Sequence, residues 1–339
     1  MAEMTGSPLA GKARRRQWPP EYNVLLGLVG IALIFEALGW IFLHESFLMN
    51  VQRLKIMILQ VAVIGIIGVG VTQVIITGGI DLSSGSIVGA TAMIAMSFAQ
   101  VSTYARAVYP DLTDMPVIVP LAAGLGVGLI GGLINGALIA YTKIPPFIAT
   151  LGMMVSARGV ANWYTKGQPV SFPTDGYIAL GQGMTPVYIF LLVAILFHLA
   201  LKYTVYGNHT YAIGSNAEAA RISGIKVEKH LVLVYGIAGL LAGLAGVVLS
   251  SRGQSAQASM GVSYELRAIT MAVIGGVSLS GGRGSIIGMF FGMLILGVIT
   301  SGFTFLGIDA YFQDMILGAI IVSAVIYDVW RQKRAARRV

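Results

Sequence analysis

Cysteine is absent from all 339 residues, which excludes disulfides, thiolate metal sites and a cysteine nucleophile without identifying a compartment. Charge is scarce too. Only 11% of residues are Asp, Glu, Lys or Arg, against about 25% in an ordinary soluble domain. The four histidines, His44, His198, His209 and His230, are scattered and give no HExxH or other ligand spacing. There is no GxxxxGK phosphate loop, so the chain is not expected to hydrolyse ATP, and no GxSxG elbow to support an intramembrane hydrolase. No metal or cofactor is implied.

What remains is apolar, with 56% hydrophobic residues and a mean hydropathy of +0.81. Stretches of roughly 20 apolar residues recur along nearly the whole length, the signature of membrane-spanning helices. A transmembrane barrel would alternate polarity over shorter segments. The expected class is an all-α polytopic bundle of ten spans: 22–43, 56–77, 85–104, 117–141, 146–164, 185–204, 231–251, 264–279, 284–306 and 308–328. The first stretch is too long for a signal-peptide core and should persist as a span.

The formal charge of +8 sits mainly at the ends. Lys12, Arg14, Arg15 and Arg16 precede the first span, and Arg331, Lys333, Arg334, Arg337 and Arg338 follow the last. Basic flanks beside spans orient a chain, so both termini are expected in the cytoplasm. Residues 1–21 and 329–339 then read as basic tails, and 22–328 as the membrane domain with a cytoplasmic loop at 205–230. Arg53 and Lys55 fall on the wrong side of this scheme. No basic stripe with interleaved aromatics exists, which excludes nucleic acid as a partner. Trp18, Trp40, Trp163 and Trp330 lie at span ends, where indoles anchor to lipid headgroups.

Glycine is plentiful, 44 residues. Gly124, Gly128 and Gly132 are spaced by four, as are Gly239 and Gly243, a spacing that lets helices pack closely. Pro145-Pro146 should end one helix and begin the next.

Two glycine-rich segments interrupt the apolar pattern. GGIDLSSGSIVG (78–89) returns as GGVSLSGGRGSIIG (275–288), identical at eight of twelve positions once Arg283-Gly284 is set aside as an insertion. Such breaks at membrane depth leave backbone groups that lipid cannot satisfy, and paired breaks point to a transporter's working site. Gly78, Gly79, Gly85, Gly275, Gly276 and Gly282 are the expected hinge. Asp81, Ser83, Ser84 and Ser86 can cap the helix that follows or face a polar ligand. In the second copy Ser278 replaces Asp81. The copies lie six expected spans apart, which makes the repeat parallel unless a span is miscounted.

Within 208–230, the run Ala217–Arg221 favours a short helix capped by Ser215 or Asn216 and stopped at Gly224. Such a helix can be merely solvated or can dock on another protein. Here SNAEAARISGIKV resembles the cytoplasmic coupling segment of the permease subunits of bacterial ABC importers for monosaccharides. GGIDLSSGSIVG, PPFIATLGMM (145–154) and GGVSLSGGRGSIIG match that family too, over about residues 50–328. The resemblance implies alternating access in the bacterial inner membrane, with cytoplasmic ATPase subunits, a periplasmic substrate-binding protein and a second permease copy as partners. It assigns ATPase coupling to Asn216, Glu218, Ala219, Ala220, Arg221, Gly224 and Ile225.

Sugar hydroxyls call for many weak hydrogen bonds rather than one strong charge. A cargo path through Asp81, Ser83, Asn135, Thr150, Asn162 and Ser280 would suit them. Charges also fall within the expected spans: Glu36, Arg158, Glu265, Arg267, Asp309 and Asp314. Such residues usually pair or face water, and Glu265 and Arg267 fit best at a span end. Arg158 and Asn162, four apart, can share a helix face. Two other readings stand beside the sugar permease: a branched-chain amino-acid permease, which would need an essential charge pair for a zwitterion, and a receptor or scaffold without transport activity.

Overall fold

The computed structural model describes residues 20–336. Trp18 and the basic residues Lys12, Arg14, Arg15, Arg16, Arg337 and Arg338 lie outside that range. In chain order the helices are α1 (Pro20–Phe42), α2 (Val51–Ile76), α3 (Ser84–Phe98), α4 (Ile118–Thr142), α5 (Pro146–Tyr164), α6 (Asp175–Ile178) and α7 (Thr185–Tyr203). They continue with α8 (Val205–Ser215), α9 (Ala217–Ile222), α10 (Val227–Gly253), α11 (Tyr264–Ile274), α12 (Ile286–Phe305) and α13 (Ala310–Ala336). Two short strands, β1 (Val170–Ser171) and β2 (Ser255–Ala256), pair antiparallel, Val170 opposite Ala256.

Each of the ten expected segments contains a helix, but they are not equivalent. Among the described residues, six helices are long and apolar enough to cross a membrane: α1, α2, α4, α7, α10 and α12. Two expected spans are cut short. The segment 85–104 yields α3, which ends at Phe98, and 264–279 yields α11, which ends at Ile274. A neighbouring segment stops the first and a glycine turn the second. Past α3 the Ala99 carbonyl accepts from the Thr174 amide at 2.8 Å, and the Gln100 side chain donates to the Ser171 carbonyl at 2.9 Å. Past α11, Gly276 takes φ +87°, where glycine carries no β-carbon penalty.

The close-packing reading of the glycine rows holds. A β-carbon on Gly128 would lie 2.8 Å from the Gly243 Cα, and one on Gly132 would lie 3.0 Å from the Gly239 Cα. So α4 and α10 cross antiparallel with their backbones nearly touching. Helix α2 also runs antiparallel to α10. Gly70 packs on Ala238, and further along the Arg252 guanidinium donates to the Leu59 carbonyl at 2.9 Å. In turn α12 is antiparallel to α2, with Gly65 against Met293 and Gly297 against Val61. The ends of the bundle are therefore defined. The α8–α9 loop sits at one end, beside Ile76, and the starts of α2 and α4 lie at the other with β1 and β2.

Against α4, Gly124 meets Ala95 and Gly131 meets Ile87, so α3 runs alongside α10. Against α12, Gly275 meets Gly288 and Gly292 meets Met271, so α11 runs alongside α2. The two short helices thus point in opposite directions, and their N-terminal ends meet. A β-carbon on Gly85 would fall on the Gly261 carbonyl, and one on Gly261 on the Gly85 carbonyl. This reciprocal contact revises the repeat. GGIDLSSG leads into α3, whereas GGVSLSGG follows the end of α11, so the two copies do not do the same job. The structural counterpart of the first break is the 257–263 turn ahead of α11.

Arg53, awkward for the expected orientation, has a packing role. Its guanidinium donates to the Ser46 and Phe47 carbonyls at 3.0 and 3.2 Å and lies 4.0 Å over the Phe305 ring. Glu36 accepts from Ser46 Oγ at 2.7 Å, the Leu48 amide at 2.8 Å and Trp40 Nε1 at 2.9 Å, which folds the α1–α2 corner.

Candidate functional site

At the first break the chain leaves α2 through Thr77 and turns at Gly78, whose φ is +84°. Gly79 leaves space for the Tyr235 hydroxyl of α10, and Gly85 for the Glu265 carboxylate of α11. Each glycine makes room for a polar group, which is why a bulkier residue cannot stand there. Asp81 is buried, and its Oδ1 accepts from the Ser83 amide at 2.8 Å and from Ser83 Oγ at 2.6 Å. Ser83 Oγ in turn accepts from Asn135 Nδ2 at 2.8 Å. Thr150 Oγ1 donates to the Ile80 carbonyl at 3.2 Å and to its own helix at Pro146, 2.9 Å. Four of the six expected path residues, Asp81, Ser83, Asn135 and Thr150, therefore meet where the break packs on α4 and α5.

The other two do not join them. Asn162 is exposed near the far end of α5, and its amide donates to the Arg158 carbonyl at 2.9 Å. Ser280 is exposed in the second break. Arg158, only part-exposed, donates to the Ala258 carbonyl and to the Met260 carbonyl (2.9 Å). It steadies the turn ahead of α11, while Asn162, one turn further along α5, stays exposed.

Glu265 stands at the expected span end, in the first turn of α11, but it is buried against the first turn of α3 rather than near water. Two helix N-termini, each with partial positive charge, converge on this carboxylate. Tyr235 and Gly261 were missed as well, since nothing in their local sequence marks them. Four buried side-chain atoms around this point have no hydrogen-bond partner among the described residues: Ser84 Oγ, Asn135 Oδ1, Tyr235 OH and Glu265 Oε2. A buried polar atom left unpaired costs about 1–3 kcal/mol, so the cluster is primed for a polar guest. Asn135→Ala would strip Ser83 of its amide donor. We expect a loss of about 1 kcal/mol in stability, read as a lower unfolding temperature, together with a larger fall in any transport measured.

The second break meets the loop. The Gly282 amide donates to the Ile76 carbonyl at 2.8 Å, tying it to the end of α2, and Gly281 packs on the Gly78 backbone. Helix α8 closes the junction. Tyr211 OH donates to the Gly284 carbonyl at 2.8 Å, and Ser215 packs against Gly282. A β-carbon on Gly214 would fall on the Ile76 carbonyl. The two halves of the doublet are thus in contact, and the C-terminal turn of α8 is wedged into the joint. Of the expected hinge, Gly275 packs on Gly288, while Gly276 and Gly282 adopt φ +87° and +71°.

Immediately after α8 comes α9, as the loop sequence predicted. Asn216 Oδ1 accepts from the Glu218 and Ala219 amides at 3.0 and 2.9 Å, and Gly224 ends the turn with φ +88°. Ala220 is buried and Ile225 packs beside it, while Glu218, Ala219 and Arg221 are exposed. Arg221 pairs with Glu228 and Glu218, both at 2.6 Å. These carboxylates, Glu228 foremost, raise the guanidinium pKa further, so Arg221 stays charged. Such exposed pairs add little stability, but they fix the pattern of charge that α9 presents.

Residues 54–325 match the family described as branched-chain amino acid transport system / permease component. The chain belongs to this permease family. It is 36% identical over 339 residues to the ribose import permease protein RbsC of Escherichia coli K12, covering 97% of this permease and 100% of that protein. The RbsC of Bacillus subtilis is 40% identical, with 91% and 92% covered. The galactose/methyl galactoside import permease protein MglC of Escherichia coli K12 is 36% identical, with 92% and 94% covered. No solved structure matches the permease.

Proposed function

We propose that the chain is the membrane-spanning permease subunit of an ATP-driven importer for a monosaccharide or cyclic polyol. The observation that carries this reading is similarity along nearly the whole length to permeases named for ribose and galactose import. The central cluster suits such a cargo. Asn135, Ser84 and Tyr235 offer neutral donors and acceptors, whereas a zwitterionic amino acid would need a cation beside the carboxylates. Arg158, the nearest candidate, is already engaged with two backbone carbonyls.

In this reading ATP is hydrolysed on separate cytoplasmic ATPase subunits that grip α9. A periplasmic binding protein delivers cargo to the opposite face, and a second permease copy completes the membrane unit. Both termini and the 205–230 loop then face the cytoplasm of a cell bounded by this inner membrane. Motion of α9 passes through α8 to the Ile76–Gly282 joint, because Gly214 and Tyr211 leave no slack there. The joint adjoins the first break, so a shift of α8 moves the start of α3 against that of α11. That movement opens and closes the cluster around Glu265 to one face at a time.

The test is ATP-driven uptake into vesicles holding the permease with the ATPase and binding protein encoded beside it. D-ribose, D-galactose or a cyclic polyol should accumulate and L-leucine should not; uptake of leucine alone would refute the reading. Within the same assay, Glu218→Arg reverses the charge that α9 offers. We expect uptake to fall about tenfold or more while the protein still inserts.

A further inference from the structure

The end of the bundle remote from α8–α9 holds a cavity of about 380 Å³ between α2, α10, α11, α12 and α13. It lies within the range of small-molecule sites. Its polar lining includes Gln60, Arg252, Tyr264, Arg267, Gln313 and Asp314. A wider chamber of about 610 Å³, reaching Asn50 and Gln52 at the α1–α2 corner, adjoins it. Gln60 and Thr304 line both chambers and so form the sill between them.

The inner lining is mixed in a telling way. Arg267 NH2 lies 3.5 Å from Asp314 Oδ1, and Arg252 is held by the Leu59 carbonyl at 2.9 Å. Asp314 offsets the Arg267 charge, and Arg252 is anchored on a backbone carbonyl, so the lining presents groups of both signs. Yet Arg267 Nε is buried without a hydrogen-bond partner among the described residues, and Gln60 lines the cavity as an exposed residue. Planar carboxamide, guanidinium and carboxylate groups each reach two adjacent hydroxyls at once, and Tyr264 offers a flat apolar face for a ring. Tyr264, in the lining, directly precedes Glu265 of the central cluster on α11.

We propose that this two-chamber cavity is the intake site for cargo: a neutral polyol the size of a monosaccharide, held by Gln60, Arg267, Gln313 and Asp314 before it passes to the cluster at Glu265. The assignment rests on the sugar-import reading above. It adds where the cargo first binds and with which groups.

The experiment uses the complete complex in vesicles, with D-ribose and D-galactose as probes. Gln60→Leu and Gln313→Leu keep side-chain volume on two separate helices and remove the amide. Each should lower sugar uptake about tenfold, the loss that follows when a hydrogen bond to a hydroxyl goes unmade. Hydrolysis stimulated by the binding protein should stay within about twofold of the parent. As a second readout, Thr304→Cys supplies the chain's single thiol, and saturating sugar should slow its alkylation where L-leucine does not. Unchanged uptake in both leucine variants, or a parallel fall in hydrolysis, overturns the proposal, as does alkylation indifferent to sugar. A parent complex that carries no sugar would instead refute the import reading itself, so the two failures are distinguishable.

Discussion

Gly214→Ala should abolish uptake while leaving ATP hydrolysis by the assembled complex largely intact. The added methyl has nowhere to go, because its β-carbon would fall on the Ile76 carbonyl and lie 2.5 Å from the Gly282 amide nitrogen. Both obstacles are backbone, so neither can rotate aside. The accommodations are few: α8 must lift, the joint must spread, or both. Overpacking of this kind costs about 1–3 kcal/mol, too little to unfold a bundle this size but enough to part the loop from the breaks. Vesicles carrying the variant should hydrolyse ATP within about threefold of the parent and import at under about a tenth of its rate. Gly152→Ala, where nothing lies within 4 Å of the added carbon, serves as the harmless control.

The second large effect is on assembly rather than coupling. Gly239→Leu places a side chain where α4 passes, with the Gly128 carbonyl and the Gly132 Cα, 2.7 Å away, directly in its path. Small residues allow close contact between membrane helices, and a leucine there must drive them apart. This crossing supports α3 on one side and α2 on the other, so the damage cannot stay local. The variant should fail to reach the folded state in detergent, or lose at least about 3 kcal/mol, measured as a collapse in the monodisperse fraction and in unfolding temperature. Gly126→Leu, on the same α4 but facing open space, should behave like the parent.

How much of this was legible beforehand depended on how local the cause was. Pro145-Pro146 marked the start of α5 because proline fixes its own backbone and excludes an interior helical hydrogen bond. Asn216 and Gly224 bounded α9 for similarly local reasons, a side-chain cap and a left-handed stop. The glycine rows on α4 and α10 also declared themselves, since four-residue spacing puts them on one face. Apolar length, by contrast, overran α3 and α11, because their ends are set by contacts with Thr174 and Ser171 in one case and by a glycine turn in the other. The central cluster was half visible. Asp81 and Ser83 belong to a recognisable break, but Tyr235 and Glu265 join it from helices far along the chain, and no local pattern records such a meeting. The doublet misled in the most instructive way. Its two copies are alike in sequence and adjacent in space, yet only the first opens a short helix at the centre, while the second forms the seat for α8.

The proposed coupling requires α8, α9 and the second break to move together relative to the rest of the bundle, α4 included. Pulsed spin-label distances test it directly, since the chain has no native cysteine to interfere. One pair, Glu218→Cys with Ser280→Cys, lies within the proposed body. Another, Lys143→Cys with Ser280→Cys, spans from that body to the end of α4. Between the nucleotide-free and ATP-bound complex, the first distance should stay fixed while the second changes. A first distance that shifts while the second holds still would contradict the account.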